Sequence, residues 1–365
     1  MPFVDRRSLT VRAVRGRKGP PAVRFVRLLL WPLALVYRAA LTARNTLYRL
    51  RVLGRRRLGV PVISVGNLTA GGTGKTPMVE WLVHWLLESG RKPAVLSRGY
   101  GAARPRELND EAKLLARNTP DLIHVVDPDR VRGGRRAVKE YGADCLVLDD
   151  GFQHVRLERD LDIVLIDALD PFGGGRLLPA GALREPLTAL KRAHVVGITR
   201  ADLAGPDACA ELLAHLRDYA PGACFFQAAY EPTRLDPVGK GVSEPPEWLR
   251  GKRVFAFCGL GNPAAFFEAL ERLEPVSLDG TALDDHTPYP RELVDRLSRK
   301  CAEVQAEAAV TTQKDAVKVE GQWPGPLPLL ALRVRMRIMS GQAELTEALR
   351  EVLRGTCARS KRKGR

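Results

Sequence analysis

Gly74-Lys75-Thr76 closes a glycine-rich stretch that follows an apolar run, V-I-S-V-G-N-L-T-A-G-G-T-G-K-T-P over residues 62–77. These residue types, in this order, do phosphate chemistry. Glycines let backbone N–H groups turn onto phosphate oxygens, an ammonium reaches the β- and γ-phosphates, and the hydroxyl after it can hold Mg²⁺ while opening a helix. The cradle is read as Thr69, Ala70, Gly71, Gly72, Thr73, Gly74, Lys75 and Thr76, with a nucleoside triphosphate and Mg²⁺ the expected ligands. Thr69 stands where the usual G-x-x-x-x-G-K-[ST] pattern has its first glycine, and Gly71 and Gly72 follow inside the loop.

A second apolar run, Cys145-Leu-Val-Leu, ends in the paired carboxylates Asp149 and Asp150. P-loop proteins place an acid in this way beside the nucleotide's Mg²⁺, so Asp149 is the metal candidate. Gly151-Phe152-Gln153-His154 follow directly, which brings Gln153 and His154 to the same strand end.

Elements must bring these residues together. From residue 60 the chain alternates short apolar runs with helical patterns, as a mostly parallel sheet covered by helices requires. Strands are expected over Val60–Val65, Pro93–Leu96, Leu122–Val126, Cys145–Asp149, Ile163–Ile166 and His194–Ile198, with helices over Thr76–Glu88, Arg130–Tyr141 and Pro206–Tyr219. Ligands of open α/β sheets collect at the carboxyl ends of strands, where these motifs fall. Residues 232–251 are rich in Pro, Gly and charge, and a second α/β unit follows from Arg253.

The net charge of +16 over 365 residues suggests a polyanion partner until it is located. Residues 1–60 carry fifteen Arg or Lys against one acid, and residues 350–365 carry seven against one, so the body between is slightly acidic. No nucleic-acid recognition fold accompanies the basic ends, and no nucleic acid is expected as partner. Leu28–Tyr37 is an apolar run of ten residues flanked by arginines, against the ~20 that a spanning helix needs. It reads as an interfacial anchor on an anionic membrane surface. The six cysteines are scattered without C-x-x-C spacing, which excludes a zinc ribbon and a disulfide framework and suits a reducing cytoplasm.

Six motifs in order, G-N-L-T-A-G-G-T-G-K-T-P (66–77), S-R-G-Y-G (97–101), D-D-G-F-Q-H (149–154), L-P-A-G-A-L-R-E-P (178–186), D-D-H (284–286) and T-Q-K-D-A-V-K (312–318), closely resemble the tetraacyldisaccharide 4′-kinase family of lipid A biosynthesis. The resemblance runs from about Leu28 to Leu349. It implies transfer of the ATP γ-phosphoryl group to the 4′-hydroxyl of an acylated glucosamine disaccharide 1-phosphate, peripherally, at the cytoplasmic face of the inner membrane. It puts the family's general base on Asp110, in Asn109-Asp110-Glu111 where the family has Gly-Asp-Glu, and its supporting histidine on His286. Taken alone, Asn109-Asp110-Glu111 also reads as a helix N-terminus. Arg130 and Arg184 would flank phosphates or substrate, with Asp150, Gln153 and His154 nearby, and Glu185 would join Asp149 and Thr76 around the metal.

The expected fold is α/β: a P-loop NTPase-like, mostly parallel sheet, a second smaller α/β domain, and an N-terminal membrane-associated helix. The expected domains are a basic extension (1–21), an amphipathic membrane segment (22–58), a P-loop kinase domain (59–235), a second α/β domain (252–353) and a basic tail (354–365). A different class competes. Thr199-Arg200-Ala201-Asp202 imitates the [NT]-K-x-D guanine loop of P-loop GTPases, which would make the chain a switch protein or metallochaperone. Against that, Arg replaces Lys, no D-x-x-G ends the Cys145 strand, and no Cys or His cluster could hand over a metal.

Overall fold

The computed structural model describes residues 21–99, 110–120, 122–285, 287–324 and 327–363. They fall into two compact units. One comprises the described residues up to Ala229 together with those from Met336 onward, and the other is Tyr230–Arg335.

The first unit opens with α1 (Pro21–Arg49), then β1 (Val62–Asn67), α2 (Lys75–Glu88), β2 (Pro93–Ser97), α3 (Asp110–Asn118), β3 (Ile123–Val126), α4 (Arg130–Tyr141) and β4 (Cys145–Asp149). It continues through β5 (Leu161–Asp167), a 3₁₀ turn (Leu187–Arg192), β6 (Val195–Thr199), α5 (Ala201–Ala204), α6 (Pro206–Tyr219) and the start of β7 (Cys224–Pro237). The strands lie in the order β3-β2-β4-β1-β5-β6-β7, every adjacent pair parallel. Strands inside a parallel sheet are covered on both faces, which is why β1 is buried at all six positions and its apolar run barely alternates. Leu68, Phe152, Val164, Ile166 and Leu190 lead the core on one side, and Leu58, Val62, Leu96, Leu146 and Leu157 that on the other.

The expected strands and helices form, with ends moved by polar residues. β5 starts at Leu161, two residues before its apolar run, because buried Asp162 is paired with Arg159 at 2.7 Å. An ion pair hidden in this way escapes a hydropathy pattern. α1 runs for 29 residues, well beyond the ten-residue apolar run inside it. From Leu29 onward Ala34 and Leu41 are its buried side chains, while Leu29, Trp31, Leu33 and Val36 are all more than half exposed. No described helix is long and apolar enough to cross a membrane.

In the second unit β8 (Arg253–Cys258), α7 (Pro263–Glu271), β9 (Ser277–Ala282), α8 (Arg291–Glu303), β10 (Ala308–Thr312), α9 (Gln313–Val319) and β11 (Leu329–Ser340) follow in turn. Its strands run β11-β10-β8-β9, again parallel. Strand β7 extends to Pro237 through the start of the turn-rich stretch in which the sequence suggests a boundary. The last helix, α10 (Gln342–Lys363), begins after β11 and groups with the first unit.

Candidate active site

Loop 68–74 leaves the carboxyl end of β1 and enters α2. Asn67, the last residue of β1, is fully buried, and a buried amide must find partners. Its Nδ2 donates to Thr69 O at 2.7 Å and Gly71 O at 3.4 Å, while its Oδ1 accepts from Lys75 Nζ at 3.3 Å. One side chain thus folds the loop over itself and holds the lysine. Gly74 then adopts φ 80°, a left-handed conformation open to glycine at little cost, and α2 begins at Lys75. The first N–H groups of a helix have no partner within it, so α2 presents donors and a positive dipole end to the loop. The motif comparison does not single out Asn67; its signal was a polar residue closing a buried apolar strand.

Asp150 follows β4 in a left-handed conformation (φ 55°), costly for a residue with a Cβ. Its carboxylate accepts from Arg184 Nη1 at 2.7 Å and lies 3.6 Å from Lys75 Nζ. Burial pushes its pKa up, but Lys75 and Arg184 outweigh that and hold it below the ordinary carboxylate range. Two cations share one anion, so the trio keeps an excess positive charge beside the loop.

Arg130 opens α4, whose N-cap Asp129 accepts from Val131 N and Arg132 N. Although buried, Arg130 donates from Nη1 to Asp127 O at 2.9 Å and from Nη2 to Asp149 O at 3.3 Å. Burial lowers its pKa, opposed by Asp149 and Asp150, and a guanidinium stays charged in either case. In the sheet Asp149 sits opposite Val65 of β1, which puts the metal candidate at the strand end from which the cradle departs.

Gln153 and His154 are expected at a ligand. Gln153 Nε2 donates to Asn67 O at 2.8 Å and braces the end of β1, while its Oε1 is buried with no hydrogen-bond partner among the described residues. The turn lies so close to this strand that a Cβ on Gly66 would stand 2.6 Å from Phe152 Cβ. His154 is half-buried, and its Nε2 has no hydrogen-bond partner among the described residues. Burial first, then the charges of Arg130 and Arg159, lowers its pKa to about 4, so it is neutral near pH 7.

Residues 182–184 pair with the start of the cradle: Ala70 N donates to Ala182 O and Arg184 N to Leu68 O, both at 2.7 Å. The next residue, Glu185, is wholly buried, and its carboxylate accepts from Arg192 at 2.8 Å and Arg44 of α1 at 3.4 Å. Tyr37 Oη, also of α1, donates to Arg184 O at 2.9 Å. Arg44, Tyr37 and Arg192 stand outside the motifs, which is why they are not legible in them. Arg44 and Arg192 are partly exposed and water can take over from the carboxylate, so Glu185→Ala is expected to lower stability by about 2 kcal/mol through the lost charge-assisted hydrogen bonds. Urea unfolding of wild type and variant measures it, and equal midpoints at equal slope would refute the role of brace.

Lys75, Asp150, Arg184, Asn67 and Gln153 are therefore brought into one network, while Glu185 faces arginines. Asp110 is the first residue of α3, but its side chain lies outside the described residues, as does His286, which falls between Asp285 and Thr287 of the second unit.

The family model described as tetraacyldisaccharide-1-P 4′-kinase, LpxK, matches residues 26–354. A protein of Pelobacter propionicus named tetraacyldisaccharide 4′-kinase is 40% identical over 342 residues, covering 89% of this chain and 92% of its own length. One of the same name from Anaeromyxobacter dehalogenans is 40% identical over 324 residues, covering 85% and 84%. Among solved structures, LpxK from Aquifex aeolicus in complex with ATP superposes with a TM-score of 0.70 at 30% identity, covering 90% of this chain and 99% of that one.

Proposed function

This chain belongs to the tetraacyldisaccharide-1-P 4′-kinase family, and from that membership we infer how its residues divide the transfer of the ATP γ-phosphoryl group to the 4′-hydroxyl of a tetraacyldisaccharide 1-phosphate, the step of lipid A biosynthesis that forms lipid IVA. The switch-protein alternative is not favoured, since relatives matched over most of their length bear the kinase name.

Phosphoryl transfer asks for little covalent help and much positioning and charge. The observation that carries the assignment is the Lys75–Asp150–Arg184 network at the mouth of the cradle. Backbone N–H groups at the end of the cradle and the start of α2 hold the phosphates, Lys75 reaches the transferring group, and Arg184 and Arg130 balance the charge that spreads over its oxygens. Asp150 sets the direction of Lys75 and Arg184. Gln153 and His154 line the same turn, Gln153 through its hold on β1. Asp110 takes the proton of the attacking hydroxyl, supported by His286; both roles rest on the family's Gly-Asp-Glu and Asp-Asp-His motifs. The hydroxyl of Thr76 and the carboxylate of Asp149 are hard oxygen donors of the kind that suits Mg²⁺, which usually keeps several waters and phosphate oxygens as its remaining ligands. When bound, Mg²⁺ neutralises phosphate charge. Glu185, held by Arg44 and Arg192, keeps lone pairs with which to join that set.

Incubation with γ-labelled ATP, Mg²⁺ and the acylated disaccharide 1-phosphate tests the function. Labelled lipid is expected, and GTP hydrolysis without label in lipid would overturn it.

The acceptor is anchored by acyl chains, so the enzyme works at a surface. The exposed Leu29, Trp31, Leu33 and Val36 of α1, with Arg38, Arg49 and Arg51 in the same region, support docking onto anionic lipid at the cytoplasmic face, where ATP is available. The double variant Trp31→Ser/Val36→Asp is expected to leave the membrane pellet while still phosphorylating detergent-dispersed acceptor. Sedimentation with vesicles checks this, and unchanged pelleting would sink the docking role.

A further inference from the structure

The loop that imitates a guanine-recognition motif has an occupation of its own. Thr199 ends β6, and Arg200 follows in a left-handed conformation (φ 56°, ψ 35°) with its side chain largely buried. A non-glycine residue there costs about 1 kcal/mol or more, so its neighbours must impose it. They are identifiable. Arg200 Nη1 donates to the buried carboxylate of Asp167, at the end of β5, and Nη2 donates to Gly72 O at 3.1 Å. One residue earlier, the Thr199 hydroxyl is within reach of Thr73 O at 3.2 Å and Ile166 O at 3.3 Å, and shares its proton between them. Two consecutive carbonyls of the phosphate cradle are thus held from one strand end.

We propose that Arg200, oriented by Asp167 and assisted by Thr199, is a positioning residue that fixes the turn of the cradle at residues 71–74, so that the N–H of Gly74 and the start of α2 face the phosphates of ATP. In a trans peptide the C=O and the N–H of the next residue point in opposite directions. The one cis bond among the described residues is Leu178–Pro179, so the 72–73 and 73–74 peptides are trans. Holding Gly72 O and Thr73 O against the β5 and β6 ends turns the N–H groups of Thr73 and Gly74 the other way. The Thr73 N–H bonds to Gly71 O at 3.1 Å, which tightens the same turn, so the hold on Thr73 O is the one that directs an N–H, that of Gly74, away from the β5 and β6 ends. An arginine suits this task because its planar fork serves a carboxylate and a carbonyl together, which a lysine's single nitrogen does less well. In this chain Arg200 is therefore engaged by the phosphate loop and does not read a base.

The proposal rests on residues 69–76 binding ATP phosphates, and the test separates the two. ATP binding to the full-length protein is measured by calorimetry without lipid, alongside KM for ATP, KM for the lipid acceptor, and the ATP:GTP preference. Wild type that fails to bind ATP would remove the cradle reading itself. Given wild-type binding, Arg200→Gln is expected to weaken ATP binding about tenfold or more, by the loss of charge-assisted hydrogen bonds. The KM for lipid and the ATP:GTP preference should stay unchanged, and Arg200→Lys should recover only part of the loss. Thr199→Val removes one hydroxyl and no charge, so it keeps the test decisive should Arg200→Gln fail to fold; a loss of a few-fold in ATP affinity is expected. Unchanged ATP affinity in the folded variants, full rescue by lysine, or a shifted ATP:GTP preference at constant affinity would each overturn the proposal.

Discussion

Lys75→Ala is expected to lower kcat/KM by about three orders of magnitude, or about 4 kcal/mol of transition-state stabilisation, while the protein stays folded. The size follows from its place. Lys75 is the first residue of α2, its Nζ is fixed by Asn67 Oδ1 at 3.3 Å, and it is the cation of the cradle itself. Charge that develops on the γ-phosphoryl group meets an ammonium already oriented, in a site where little solvent reorganisation is needed. Stability should change little, because Asp150 keeps its 2.7 Å pair with Arg184 when Lys75 is gone. Steady-state kinetics with both substrates and a thermal melt check the two halves. A loss confined to KM for the lipid would contradict the assignment.

Asp110→Asn should be nearly as severe: kcat falls by about 10²–10⁴, the range for losing a positioned general base. Asparagine is chosen because Asp110 opens α3, where an acid also steadies the helix. At the first helical position an acid steadies the helix through its charge, which asparagine lacks, so a purely structural role predicts a loss in stability of under ~1 kcal/mol and nearly normal turnover. A base predicts the reverse pattern: normal KM values, a normal melting temperature and a collapsed kcat. Its pH profile would also lose the rise on the acid side that reports deprotonation of the base. A normal kcat would return Asp110 to the role of a helix cap.

Much of this was legible because the chemistry is local. A cradle made of contiguous backbone N–H groups, a lysine and a threonine needs only a strand before it and a helix after it, and residues 62–88 announce all three. Asp149 and Asp150 could be placed for the same reason, since an apolar strand carries its terminal acids to the sheet's carboxyl edge. Gln153 shows where this stops. Its proximity to the cradle follows from the chain, but its bond to Asn67 O depends on how closely Phe152 approaches Gly66. That Glu185 meets Arg44 and Arg192 was not legible, because both lie outside the segment that carries its family motif.

The amino-acid sequence by itself determined the alternating α/β order and the family, because periodicity and short motifs in a fixed order carry these. The tertiary structure alone decided which charges meet. Arg184 pairs with Asp150 across 34 positions, Arg200 reaches Gly72 across 128, and Arg44 reaches Glu185 across 141. Such pairs depend on strand order and on loops crossing the sheet edge, and an ion pair is specified by a distance in space that no local pattern of residues encodes.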